Sequence, residues 1–327
     1  MTNRRQFLTR AGAVTIGAGA ATLAAPAIVK AQTAIKWRFQ TYAGAALGEH
    51  VTKPIVDAIN AAAKGELEIE LYFADQIVPT GELFRALQAG TIDAVHSDDD
   101  SMASPADVAT FGGYFPLATK QILDVPVLFK QYGLADIWKS SYEKVGGVVW
   151  LSSSGQDPCH FNTKKAITSV KDLEGLRLYT FPTAGRFLTQ FGVVPVTIPY
   201  EDAQVAVQTG ELDGMAWSGI WIGSFFVNEQ KWAELPDHLK KLVMTAIEAG
   251  NNYRDQWYWG GEAKLRAEGT KLKLTSIPAE EWKVVEEAAK VFWKEIAGQS
   301  ETAAKVVKIF EDYNAVIYKA GPPYVNG

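Results

Sequence analysis

From Asp172 to Trp217 the chain alternates apolar strand patterns with short amphipathic helix patterns. The spacing predicts strands over Leu176–Thr180, Val193–Ile198 and Gly214–Trp217, with helices over Thr183–Phe191 and Glu201–Thr209. Strand, helix and strand this close in sequence fold as a layered α/β unit built on a parallel sheet, because each crossover helix must return over the sheet face. The same alternation occurs upstream. Strands are expected at Ile35–Gln40, Leu67–Phe73, Ile92–His96 and Val145–Leu151, and helices at Glu49–Ala63, Gly81–Ala89 and Leu123–Tyr142. Ser152-Ser153-Ser154-Gly155 reads as a small polar loop crossing between two lobes. The tail changes character, with long helical patterns over Asp237–Arg266, Ala279–Ala297 and Thr302–Ala320. The expected division is residues 1–31 a leader, 32–152 a first lobe, 153–227 a second lobe, and 228–327 a helical region packing across both.

The leader reading rests on Asn3-Arg4-Arg5-Gln6-Phe7-Leu8, a twin-arginine pair, followed by an Ala/Gly-rich stretch from Ala11 to Val29 and small-residue cleavage chemistry at Val29-Lys30-Ala31. This is the layout of a Tat export signal. An uncleaved anchor is the alternative, but alanine and glycine hold poorly in a bilayer. Removing Arg4, Arg5, Arg10 and Lys30 from the 32 basic residues leaves 28 against 37 acidic ones, a net charge near −9. That balance argues against nucleic acid or an anionic membrane as partner. Cys159 is the only cysteine, so an internal disulfide is excluded, and it is expected to be a small buried hydrophobe.

No phosphate loop, dinucleotide fingerprint, nucleophile elbow or H-E-x-x-H metal motif is present. His50, His96, His160 and His238 show no ligand spacing. His96 and His160 stand out because each lies at a strand end, where ligands of open α/β sheets collect. The strongest charge cluster, Asp98-Asp99-Asp100, directly follows the strand ending at His96. Three readings are open: a solvated loop with a helix cap, a cation site, or contact with an amine. The solvated reading is expected to hold for at least two of the three. Tyr179 and Trp217 end strands near the presumed cleft, whereas Trp257-Tyr258-Trp259 reads as inter-lobe packing. A hydrolase or lyase using His160 and Asp157 is the rival from another class, but no nucleophile–base–orienter set is visible.

Five segments in order carry a family resemblance: Gly81–Ala94 (GELFRALQAGTIDA), Asp172–Leu178 (DLEGLRL), Gly192–Val196 (GVVPV), Val205–Gly214 (VAVQTGELDG) and Asn228–Pro236 (NEQKWAELP). The chain resembles the solute-binding proteins of tripartite ATP-independent periplasmic (TRAP) transporters, the DctP-like family. The resemblance implies a two-lobed, type II-like periplasmic binding protein fold with long C-terminal helices. It also implies a cleft that closes on one small solute, and a membrane permease, driven by an ion gradient, that receives it. It implies no chemical step and no cofactor. A sensor role, presenting ligand to a membrane receptor, is the neighbouring alternative. Monomer and homodimer both remain open.

The chain departs from the family in four respects. The arginine that holds a substrate carboxylate follows the D-L-x-G-L-K run, and that position is Tyr179, a ring and hydroxyl without charge. The loop Gln156–Phe161 lacks the second basic residue. Trp217 matches the tryptophan of the 2-oxo acid branch, but Ala216 replaces its metal-holding glutamate, so no metal bridge is expected. After Ile220 the family pattern adds a helix and a crossing strand, whereas here Trp221–Val227 follows at once, so a linker reads as missing. The expected ligand-binding residues are Tyr42, His96, Asp98, Asp99, Gln156, His160, Tyr179, Phe181 and Trp217, with Arg186 a further donor if it points inward. An organic acid is the family default. An amine-bearing, zwitterionic or neutral solute is the alternative that Tyr179 and the aspartates raise.

Overall fold

The computed structural model describes residues 34–156, 161–217, 220–269, 273–322 and Tyr324. The leader, Cys159 and His160 lie outside these residues. Two sheets organise the chain. The first has strand order β2-β1-β3-β9-β4, formed by β1 (Ile35–Thr41), β2 (Leu67–Tyr72), β3 (Ala94–Ser97), β4 (Val148–Gln156) and β9 (Trp221–Asn228). The second has order β5-β8-β6-β7, formed by β5 (Phe161–Thr163), β6 (Arg177–Tyr179), β7 (Val194–Val196) and β8 (Gly214–Ala216). In the first sheet β1 runs parallel to β2 and β3, while β9 is antiparallel to both β3 and β4. In the second, β6 runs parallel to β7 and β8.

Three expectations change at the sheet level. Ser152–Gly155 is strand, not loop: its residues are buried within β4 and pair with β9, so their small polar side chains sit inside the sheet layers. The segment 153–227 therefore does not coincide with the second sheet, because β4 and β9 both belong to the first. The crossing strand that read as missing is β9 itself. All eight of its residues are buried, which explains why the largely apolar run Trp221–Val227 shows no alternation: a central strand covered on both faces loses it. β4 leaves the first sheet opposite the point where β9 returns, with Gln156 in register with Trp221. The two crossings between sheets thus lie side by side.

Helix breaks follow local chemistry. The expected helix Glu49–Ala63 is two helices, α1 (Ala45–Val51) and α2 (Lys53–Ala63), parted at Thr52 just before Pro54 in the first turn of α2. The expected helix Leu123–Tyr142 is α4 (Asp124–Gln131) and α5 (Leu134–Val145), split by Gly133 at φ +86°, a left-handed value that glycine adopts without strain. Between these pairs lies α3 (Leu83–Gln88). The second sheet carries α6 (Pro182–Leu188) and α7 (Tyr200–Thr209).

The C-terminal part begins with α8 (Glu229–Glu234), capped by Asn228 Oδ1 on the amides of Gln230 and Lys231. Then come α9 (Asp237–Glu268), α10 (Ala279–Ala297) and α11 (Glu301–Ala320). α9 lies on the first sheet and α2 through a stripe of Leu239, Val243 and Ile247. Its approach to α2 is close enough that a Cβ at Gly250 would stand 2.1 Å from Ile55 Cγ1. α10 touches both layers: Phe292 packs on Phe187 of α6 and on Phe115, and Trp293 Nε1 donates to the Pro116 carbonyl at 2.7 Å. No helix among the described residues is long and apolar enough to cross a membrane.

Candidate solute-binding site

β3 ends at Ser97, and the three aspartates that follow sit under the aromatic cluster that joins the two sheets. Asp98 and Asp99 are fully buried, which overturns the solvated-loop reading for both. Asp98 accepts from the Ser101 amide at 2.7 Å and from Trp221 Nε1 at 3.1 Å. Asp99 accepts from the Tyr142 hydroxyl and from Ser224 Oγ at 3.1 Å. Glycines make room for them: a Cβ at Gly112 would stand 2.7 Å from the Asp99 backbone nitrogen, and one at Gly113 would stand 3.0 Å from Asp98 Oδ1. Asp100, half-buried, reaches the second sheet and accepts from the Thr183 amide in the first turn of α6 at 2.8 Å. Pro182 supplies no N–H, so Thr183 offers the first free donor of that helix.

No ion pair among the described residues involves any of these three carboxylates. Burial pushes Asp98 up to about 6 and Asp99 and Asp100 up to about 7. The proximity of Asp98 raises the other two further, while their hydrogen bonds and, for Asp100, the Arg186 charge oppose the shift. A cluster of this kind is an unsatisfied anion. It loses solvation on folding and gains only neutral donors in return.

The Trp221 indole that bonds Asp98 belongs to a cluster of rings. Tyr42 lies 4.7 Å from Trp221, and Trp221 lies 5.8 Å from His96, centroid to centroid. From the other side, Tyr114 stacks on Trp217 at 5.1 Å and meets Phe181 edge-on at 4.8 Å. Tyr179 closes the group against Phe181 and Trp217 at 6.0 and 5.7 Å, with Tyr200 beyond it at 6.0 Å. Tyr42, Tyr114 and Trp221 come from the first-sheet side, and Tyr179, Phe181, Tyr200 and Trp217 from the second. Outside the rings a cleft of about 600 Å³ separates Gly44, Phe73 and Pro79 from Pro199 and Asp202.

Behind this wall lies a buried cation. Arg254 of α9 is fully buried, donating from Nη1 to His96 Nε2 at 2.6 Å and from Nη2 to Asn251 Oδ1 at 3.2 Å. A guanidinium only donates, so His96 Nε2 must accept, and its proton sits on Nδ1, which donates to Thr52 Oγ1 at 3.0 Å. Burial and the Arg254 charge hold the imidazole well below its ordinary pKa, hence neutral. Both ring nitrogens of His96 are committed, so it offers a ligand only its ring.

Of the expected site residues, the fold brings Tyr42, His96, Asp98, Asp99, Tyr179, Phe181 and Trp217 together. Gln156 is placed by its backbone at the end of β4, and His160 lies outside the described residues. Arg186 points away: it pairs with Glu295 at 3.7 Å and covers the Phe292 ring, half-exposed. The Trp257–Trp259 reading is also corrected, since Trp257 stacks on His50 of α1 at 5.0 Å and Trp259 is 62% exposed. Sequence reasoning missed Trp221, Tyr114, Tyr142, Ser224 and Arg254. For Arg254 a signal existed, because the α9 stripe Leu239, Val243, Ile247 continues at helical spacing to Asn251 and Arg254.

Residues 43–224 match the bacterial extracellular solute-binding protein family 7, DctP. A TRAP periplasmic solute-binding protein from Chromohalobacter salexigens, solved with bound (S)-(+)-2-amino-1-propanol, is 59% identical. The match covers 90% of this chain and 99% of that one, with a TM-score of 0.86. A TRAP solute-binding protein from Bordetella bronchiseptica, with calcium and picolinate, shares the fold at 20% identity and a TM-score of 0.74, over 88% of this chain and 95% of that one. A monocarboxylate 2-oxoacid-binding periplasmic protein from Nostoc sp. is 23% identical over 86% of this chain and 84% of its own length. The chain belongs to the bacterial extracellular solute-binding protein family 7, as a periplasmic receptor that captures small organic solutes for a TRAP membrane transporter.

Proposed function

We propose that the solute this receptor captures carries a protonated primary amine, with amino alcohols as the class, and that Asp98 is its counter-ion. The observation that carries the reading is the fully buried Asp98 carboxylate, whose hydrogen bonds, from Ser101 and the Trp221 indole among others, come from neutral donors, with no cationic partner among the described residues. None of these donors brings a charge, so an ammonium group that reaches the carboxylate supplies the counter-charge it lacks. The rings of Tyr42, Trp221, Tyr114, Phe181, Trp217 and Tyr179 supply faces to the cation and exclude water from it. The relative solved with 2-amino-1-propanol supports the same class. Tyr179 in place of an arginine removes the clamp an organic acid would use, and Arg186 does not replace it.

Closure then has a physical basis. The second lobe meets the first through Tyr114 against Phe181 and Trp217, and through Asp100 on the α6 amide. A cation seated at Asp98 neutralises the charge that Asp99 and Asp100 feel, so binding and closure favour one another. Calorimetric titration with 2-amino-1-propanol and with pyruvate tests the reading. Binding of the amino alcohol, and its loss in Asp98→Asn, is expected. Tight pyruvate binding that survives Asp98→Asn would overturn it.

Export by the Tat route with cleavage near Ala31 belongs to the same proposal, supported by Arg4-Arg5 ahead of the Ala/Gly-rich stretch. Replacing both arginines by lysine is expected to leave the protein in the cytoplasmic fraction.

A further inference from the structure

We propose that Arg254 is the specificity-determining residue for the other end of the solute, selecting an amine that also carries an oxygen acceptor. This rests on the amine reading above. Arg254 is a permanent charge, since arginine keeps its proton even when burial lowers its pKa as it does here. It is fully buried and its Nε has no hydrogen-bond partner; the neighbouring Asp255 carboxylate acts on it through space, but no carboxylate among the described residues hydrogen-bonds it. A buried guanidinium that lacks a hydrogen-bonded counter-ion is only partly compensated for its lost water. A fold that keeps one beside a ligand wall holds an electrostatic demand that a ligand can meet.

The contacts place the two opposite charges at either end of one wall. Asp98 accepts from the Trp221 indole, the Trp221 ring meets the His96 ring, and His96 accepts from Arg254. Tyr42 lies against both Trp221 and His96. The wall is therefore negative at Asp98 and positive at Arg254. A ligand lying along it is oriented with its ammonium at Asp98 and its electron-rich oxygen toward Arg254. His96 is the positioning residue. Its neutral tautomer is fixed by Arg254 and Thr52, so it transmits no proton and screens no charge.

The test compares two ligands of one shape, 2-amino-1-propanol and 2-aminobutane, in which a methyl replaces the hydroxyl. Affinities are measured by calorimetry on the wild-type chain, Arg254→Met and Arg254→Lys. Wild type is expected to prefer the amino alcohol by about tenfold or more. In Arg254→Met the preference falls to within about threefold while 2-aminobutane keeps its affinity; in Arg254→Lys most of the preference remains. Equal wild-type affinities for the two ligands overturn the inference without need of any variant. An Arg254→Met loss that is equal for both ligands also overturns it, leaving Arg254 as a strut of α9. Failure of both amines to bind wild type overturns instead the amine reading on which the inference stands.

Discussion

The two walls of the site are built from different chemistry. The first lobe brings charge: Asp98, Asp99 and Asp100 from the end of β3, with His96 and Arg254 behind them, all but Asp100 fully buried. The second brings rings and one helix terminus: Tyr179, Phe181, Trp217 and Tyr200, with the Thr183 amide as its contact to Asp100. Rings gain from burial whatever the ligand, whereas a buried carboxylate gains only when a cation arrives. The first wall is thus suited to choosing the solute, and the second to sealing it in. The arginine that the sequence resemblance leads one to expect at Tyr179 would put charge on the second wall; here the charge sits on the opposite one.

The sharpest way to break this contrast is Asp98→Asn. It removes the counter-ion and is expected to weaken amino alcohol binding at least a hundredfold by calorimetry, as for truncation of a buried charge pair. Trp217→Ala opens the second wall and is expected to cost about tenfold to a hundredfold, with the amino alcohol preference over 2-aminobutane unchanged. If Trp217→Ala erased that preference, the division of labour would be wrong.

Stability against pH separates the walls without ligand. Asp98, Asp99 and Asp100 titrate at about 6, 7 and 7 in the fold, against an ordinary aspartate value near 4 in the unfolded chain. The folded chain therefore holds more protons over that range, and its stability is expected to fall as pH rises from about 4 to about 7. Asp255, raised to about 7 by burial, adds to the decline, while His96, held neutral, pulls the other way below about pH 6.5, one group against four. Thermal melts of the ligand-free protein should show the decline, a flatter one in Asp98→Asn, and the largest gain from added amino alcohol at the upper end of the range.

Two smaller effects sharpen the comparison. Asp100→Asn keeps an acceptor for Thr183 but loses the charge at the α6 terminus, so a weakening of binding by about 0.5 to 1 kcal/mol is expected. Arg186→Ala, the arginine of the second lobe, should change affinity by less than about 0.5 kcal/mol, since its partner Glu295 is exposed on α10.

Much of the frame was legible because it depends on short-range pattern. The apolar alternation of Leu67–Tyr72, the helix Ala279–Ala297 and the loss of charge at Tyr179 are each read from a few neighbouring residues. The breaks at Thr52 and Gly133 were missed although their signals, Pro54 and a glycine between two amphipathic runs, stood in the sequence. β9 was missed for a different reason: a strand buried on both faces has no period, so Trp221–Val227 looked like a junction where something had been lost.

The site itself divides along the same line. By itself the sequence determined an α/β frame, a terminal helical tail, the candidate rings and the absence of the expected arginine. Only the tertiary structure decided that Asp98 and Asp99 face inward, because their partners Trp221, Tyr142 and Ser224 lie 43 to 125 residues away and reach them over the bare backbone of Gly112 and Gly113. It alone set Arg254 against His96, 158 residues distant, by laying α9 across the first sheet. Charge carries no direction in a sequence. Whether an aspartate is solvated or stranded depends on which remote surfaces close over it, and here those surfaces leave a carboxylate and a guanidinium buried without each other.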